Sequence, residues 1–303
     1  MIKMRRYKTF DIKRFLKGLY ENYLPTSRDN LKQIVVKVLF ILLIIAIAVS
    51  GIYFGSYYGH SNKQQKILSD SRKIFESNDF AESYKLLSEQ NGDYQGWIKL
   101  GDTQLNNPVY KSQDNSFYLN KNSKKKTSEL GSVFMDYRFN IDDKNTVIYG
   151  NTLKSGEMFS VLHNLRTLNF YKKNSVISFT DSKGTVDYKI YAVFVLNAKI
   201  SDDGGYIYNI YRKGFADETD FDYWVAEAKV RSIIDTKVGV GQRDKILTLV
   251  TGCEDFENAR LVVMARSERE GEALTAEALE AGVNENPVYP KKWYENRNIE
   301  YPF

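Results

Sequence analysis

One thiol, Cys253, closes the segment Thr248-Leu249-Val250-Thr251-Gly252-Cys253, and Arg260 follows seven residues later in Asn258-Ala259-Arg260-Leu261-Val262-Val263. A thiol attacks as its thiolate, so it needs a depressed pKa or a neighbouring base. The imidazoles available as such a base are His60 and His163, and the chain has no others. A single cysteine forms neither an intramolecular disulfide nor a multi-cysteine metal site, and two separated histidines complete no metal-binding spacing. No cofactor and no metal are therefore expected. Successive side chains in a strand point to opposite faces, so Gly252 and Cys253 address different surroundings and a one-residue slip decides which faces a cleft.

The pairing of Cys253 with Arg260 resembles the nucleophile strand of sortases. These are membrane-tethered cysteine transpeptidases in which a Thr-Leu-x-Thr-Cys strand end supplies the thiolate and an arginine on the next strand steadies the oxyanion. In class B members the cysteine directly follows the second threonine, about eight residues before the arginine. Counting back eight from Arg260 reaches Gly252, with the thiol one place later. The stretch Val147-Ile148-Tyr149-Gly150-Asn151-Thr152-Leu153-Lys154-Ser155-Gly156-Glu157-Met158-Phe159 is similar to the family's Tyr-Gly-His-Asn-Met-Lys-x-Gly-x-Met-Phe block, with Asn151 at the catalytic histidine position. The resemblance begins near Asp93-Tyr94-Gln95-Gly96-Trp97-Ile98, continues in order to Arg266, and returns in the tail Asn286-Pro287-Val288-Tyr289-Pro290-Lys291-Lys292-Trp293-Tyr294.

The resemblance implies a mainly β fold with helices: an eight-stranded sortase-type barrel, N-terminal helices, and a helix in the loop between strands six and seven. It implies a transpeptidase that cuts a sorting-signal peptide, holds a thioester, and passes the acyl group to a peptidoglycan or pilin-type amine. The catalytic set by this likeness is Cys253, Arg260, Asn151 at the histidine position and Gly252 at the cysteine position; Thr251, Leu249, Tyr206, Tyr208 and Tyr211 are the expected peptide contacts. Two readings of Cys253 stand: a bulge at Gly252 returns the thiol to the cleft, or Gly252 replaces the nucleophile and the thiol faces elsewhere. Asn151 can hydrogen-bond but cannot titrate. His60 lies just beyond the apolar segment and His163 in a helix expected after Phe159, so neither is expected to reach the site. The activity is accordingly expected to be impaired, and the alternative is a protein that binds sorting signals or surface-protein partners without cutting them.

These residues need elements to hold them. With 43% hydrophobic and 14% aromatic residues, the chain can bury one core besides an anchor. From Val38 to Phe54 it runs without a charge, long enough to span a bilayer. Ten of the 43 Lys and Arg but three of the 38 Asp and Glu precede residue 38, which predicts a cytoplasmic N-terminus and the rest outside the cell membrane. The remainder is close to charge balance, so nothing suggests nucleic acid. Phe15, Leu16, Leu19, Tyr20, Tyr23 and Leu24 recur at helical spacing in the basic segment, as an amphipathic helix on the inner leaflet would, although a solvated tail accounts for them equally. The expected organisation is a basic cytoplasmic segment over 1–33, an anchor over 34–56, a helical stalk and cap over 57–92, the barrel over 93–270 and a tail over 271–303. Candidate strands are Trp97 to Leu100, Ser116 to Leu119, Ser132 to Met135, Thr146 to Gly150, Val176 to Thr180, Thr185 to Leu196, Lys245 to Val250 and Leu261 to Ala265. Asp181-Ser182-Lys183-Gly184 reads as a hairpin turn, and Phe221, Trp224, Val225 and Ala228 as a buried helix face begun at Thr219.

Overall fold

The computed structural model describes residues 22–302 with Lys13, Gly18 and Tyr20, the side chains of residue 54 and residues 56–63 excepted. Phe15, Leu16 and Leu19 of the amphipathic stripe lie outside the described residues, as does the His60 side chain. Two compact units divide the chain between Lys63 and Gln64. Helix α1 (Leu31–Ser77) starts with a reciprocal cap in which Asn30 and Gln33 each accept the other's backbone N–H at 2.9 Å. Its segment Leu31–Tyr53 is 23 residues long with mean hydropathy 2.9 and is unburied. At about 1.5 Å per residue it covers roughly 35 Å, enough for a hydrocarbon layer of about 30 Å.

In the second unit, the end of α1 docks on the barrel: Arg72 Nε donates to the Asn106 carbonyl at 2.8 Å, and Phe75 stacks on Trp97. Helix α2 (Phe80–Gln90) is capped by Asp79, whose carboxylate accepts the Glu82 N–H. The barrel strands are β1 (Tyr94–Leu100), β2 (Asn106–Tyr110), β3 (Val133–Met135), β4 (Asn145–Tyr149), β5 (Val176–Asp181), β6 (Gly184–Asn197), β8 (Ile246–Gly252) and β9 (Ala259–Ser267). They close in the order β1-β2-β3-β4-β8-β9-β6-β5, with β2/β3 and β4/β8 parallel and the other pairs antiparallel. The 14-residue β6 bridges β5 and β9 and carries a register shift between Ile190 and Ala192. Ile148, Val193, Leu247, Leu249, Leu261 and Val263 are fully buried. Each such aliphatic side chain contributes about 1.5–3 kcal/mol by leaving water.

Helix α3 (Leu168–Lys173) precedes β5, and helix α4 (Glu218–Arg231) fills the loop between β6 and the short β7 (Ile234–Asp235), burying Phe221, Trp224, Val225 and Ala228 as their spacing predicts. The tail adds helix α5 (Ala276–Glu280), strand β10 (Gly282–Val283) paired with β7, and helix α6 (Lys291–Glu295). Fully buried Lys189 of β6 binds Glu277 and the Ala273 carbonyl, and equally buried Arg266 of β9 binds Glu272 through Nη2 at 2.6 Å, so the tail supplies the counter-charges for two core cations.

Three local expectations are corrected. Ser116 to Leu119 is not a strand: the Asp114 carboxylate accepts the backbone N–H groups of Ser116 and Phe117, and this turn launches a 3₁₀ helix, Phe117–Leu119. The missing barrel strand is β2, which holds Pro108 opposite Trp97, a residue that reads as a strand breaker. Helix α4 starts two residues earlier than expected, because Asp217 and not Thr219 caps it by accepting the Asp220 N–H at 2.8 Å.

Candidate functional site

The ends of β8 and β9 settle which side chains share a face. Gly252 lies directly opposite Arg260, and Arg260 opposite Leu196, so these three form one cross-strand row. Cys253 follows on the other face, its N–H donating to the Ala259 carbonyl at 3.3 Å. There the half-buried thiol packs against the cluster of Val195, Phe256 and Ala259, on which Tyr289 and Trp293 of the tail also pack, and against the edge of the main core. The run of paired positions through Gly252 is regular, without the bulge that would return the sulfur to the row of Arg260. Burial, and next the Asp255 carboxylate, push the Cys253 thiol up to about 12. Asp255 itself is gripped by Arg166 in a two-bond fork at 2.8 and 2.9 Å. Burial favours its neutral acid, but that fork holds it below the usual carboxylate range.

Beyond the end of β4 the chain turns sharply. Gly150 lies so close to Phe159 that a Cβ would come within 2.5 Å of the ring. The Asn151 amide donates to the Leu119 and Leu130 carbonyls at 2.8 and 3.1 Å and packs against Gly131, where φ is +64° and an added Cβ would sit 2.6 Å from Asn151 Nδ2. Asn151 therefore anchors the loop around Gly131. Thr152 is the residue that meets β8: its hydroxyl donates to the Gly252 carbonyl at 2.8 Å and lies 2.8 Å from the Thr251 hydroxyl, which donates to the Gly150 carbonyl at 2.7 Å.

His163, discounted from its place in the sequence, belongs to this group. The bridge between Thr152 and Met158 folds the chain back, and the 3₁₀ helix Ser160–Arg166 places His163 Nε2 3.1 Å from both the Gly252 carbonyl and the Thr152 hydroxyl. With the Thr152 proton given to Gly252, this donor count puts a proton on Nε2. Burial lowers the His163 pKa, opposed by the Gly252 carbonyl, so the imidazole is neutral at pH 7. The sequence signal available for it was only that it is one of two imidazoles, carried close behind the Tyr149-to-Phe159 block.

Arg260 is half-buried and bonds the Ala259 carbonyl through Nη1 at 2.9 Å; among the described residues no carboxylate pairs with it. A Cβ built on Gly252 meets nothing within 4 Å, so the space facing the guanidinium is open. Of the expected peptide contacts, Tyr206 and Tyr211 are exposed on the loop before α4, and Thr251 is buried at the strand end. Leu249, Thr251 and Tyr208 are placed otherwise than expected: Leu249 faces the core, Thr251 donates its hydroxyl to the Gly150 carbonyl, and Tyr208 stacks on Trp224 with its hydroxyl donated to the Trp224 carbonyl, so none of the three presents surface to a peptide. Tyr211 is held by the Tyr149 hydroxyl at 3.2 Å and by the Arg138 guanidinium over its ring, while Asn145 of β4 donates to the Ile210 and Arg212 carbonyls. The loop is thereby fixed to the barrel.

Comparison with known proteins bears on the same region. A Sortase domain model matches residues 98–268. Sortase B of Listeria monocytogenes is 29% identical over 230 residues, covering 72% of this chain and 90% of that protein. Sortase B of Staphylococcus aureus is 32% identical over 188 residues, covering 60% and 73%. The Staphylococcus aureus sortase B–substrate complex superimposes with a TM-score of 0.62 at 26% identity, over 70% of this chain and 99% of that one. A mutant form of Clostridium perfringens sortase B gives 0.60 at 29%, over 68% and 98%. With a closed eight-stranded barrel, a helix in the loop after β6 and a family match over more than half its length, the chain belongs to the sortase family and is related to class B sortases.

Proposed function

We propose that this chain is a membrane-anchored, class B sortase-like protein that still recognises sorting-signal peptides but is impaired as a transpeptidase. The observation that carries this reading is the register pair Gly252–Arg260: the arginine's face holds no sulfur, and the Cys253 thiol lies on the other. A sortase thiolate must reach the scissile carbonyl while an arginine faces the developing oxyanion, and one such donor is worth about 10² to 10³ in rate. Here the arginine keeps its place without a nucleophile beside it. The leaving amine also needs a proton, and a positioned acid contributes about 10² to 10⁴. Asn151 cannot supply one, and the His163 Nε2 proton is directed at the Gly252 carbonyl.

Peptide recognition is supported by the loop carrying Tyr206 and Tyr211, held against the barrel, and by the Staphylococcus aureus sortase B structure that superimposes with a substrate bound. The anchor is supported by Leu31–Tyr53, and an external barrel by the basic residues that precede it. Fluorescent sorting-signal peptides from surface proteins of the host cell, added to the full-length protein in nanodiscs, should give saturable anisotropy with no cleavage product and no thioester adduct by intact mass. Turnover abolished by Cys253→Ala refutes the impaired site. A second reading, weak transfer to a peptidoglycan or pilin-type amine, is favoured only by the imidazole beside Gly252, and it requires that the same assay detect an amine adduct.

A further inference from the structure

We propose that the open space at Gly252 reads a free C-terminal carboxylate, so that this site holds already cleaved chains more tightly than intact sorting signals. The inference rests on the peptide-binding reading above and specifies its ligand class. Directly opposed residues of an antiparallel pair hold their Cβ positions about 4.5–5.5 Å apart, so the side chain of Arg260 rises beside position 252. The place a cysteine sulfur would occupy there is vacant, since a Cβ on Gly252 meets nothing within 4 Å.

A guanidinium carries five N–H donors in a planar fork, and Arg260 uses Nη1 on its neighbour's carbonyl. A carboxylate matches the remaining donors with two oxygens and a full negative charge, whereas an internal amide offers one uncharged carbonyl oxygen. With no side chain at residue 252, and open space where its Cβ would stand, there is room for the second oxygen. The surroundings do not compensate the arginine: Asp255 is committed to Arg166, and the donors of Thr152 and His163 go to the Gly252 carbonyl. The site thus combines a guanidinium that pairs with no carboxylate among the described residues, a vacancy beside position 252, and a loop carrying exposed Tyr206 and Tyr211 that is fixed to the barrel.

The test is an array of defined pentapeptides, each made with a free carboxylate, with a C-terminal carboxamide and with a two-residue extension, probed with the full-length protein and followed by anisotropy on the binders. The free carboxylates should bind about tenfold to a hundredfold tighter than the matching amides and extended peptides. Arg260→Gln should remove that difference while leaving the melting temperature within a few degrees, and Gly252→Val, which fills the vacancy, should weaken carboxylate binding with Arg260 intact. Equal or tighter binding of the amides or extended peptides overturns the carboxylate assignment and leaves the peptide-binding reading standing. Binding of no peptide in any form overturns both.

Discussion

Moving the thiol by one residue tests the geometry at the end of β8 directly. The perturbation is the pair Gly252→Cys with Cys253→Ala, compared with the unaltered chain and with Cys253→Ala alone. In the unaltered chain the thiol is pushed up to about 12 by burial and by Asp255. At pH 7.5 that leaves a thiolate fraction of about 3 × 10⁻⁵, whereas an exposed thiol with a pKa of about 8.5 has about 10%. The ratio is about 3 × 10³. A more basic thiolate is intrinsically more nucleophilic, with a Brønsted slope of about 0.4–0.5, which returns a factor of roughly 25 to 60. The shifted thiol should therefore alkylate with iodoacetamide about 10² times faster at pH 7.5. The space at Gly252 accepts the new side chain without a clash. Loss of a strand glycine should also raise stability by about 0.4–1 kcal/mol. Intact-mass time courses from pH 6.5 to 10.5 give both rates, and the log rate for the unaltered chain should climb without a plateau across that range. Labelling of the unaltered chain with a plateau near pH 8.5, or at a rate equal to that of the shifted thiol, would refute the placement of Cys253 behind the arginine's face.

Two further perturbations follow from the loop and the tail. Asn151→Ala removes the donors to the Leu119 and Leu130 carbonyls and should cost about 1–3 kcal/mol in denaturant titration; an unchanged midpoint would show that Asn151 anchors nothing. Glu272, bonded first of all to Arg266, has its pKa lowered to about 2, so its contribution is complete above the ordinary glutamate pKa of about 4.3 and is lost as pH falls from there toward 2. Glu272→Gln should thus flatten the decline in melting temperature between about pH 4.5 and 2, and an identical acid limb in the two proteins would count against this.

Much of the barrel was legible because β6, β8 and β9 are long, β-branched runs whose burial needs no knowledge of their partners. The helix face of Phe221, Trp224, Val225 and Ala228 was legible for the same reason, since a helical repeat of apolar residues has one way to be buried. Strand β2 was not, because Pro108 suppresses a local strand signal while the ladder tolerates it opposite Trp97. At the site, the counting of positions from Arg260 to Gly252 carries over into the strand register, which is a local property. His163 could not be found that way. Its distance to Gly252 depends on the return of the chain at Thr152–Met158 and on Met158 adopting a positive φ, and neither is written in the pattern of apolar residues. Leu249, Thr251 and Tyr208 were misplaced because a resemblance gives a segment's neighbourhood but not which side of it faces inward.

The ties of Lys189 and Arg266 to Glu277 and Glu272 also bear on what the tail does for the barrel. Both cations sit in barrel strands made before the glutamates that neutralise them, and both are enclosed. Without the tail, Lys189 would lose both of its carboxylates, and Arg266 would keep only Asp244 at 3.9 Å with the Gly239 and Ser267 carbonyls. An enclosed cation left without its counter-charge costs several kcal/mol. The tail therefore acts as part of the seam between β6 and β9, and removing it should loosen that pairing rather than merely shorten the chain.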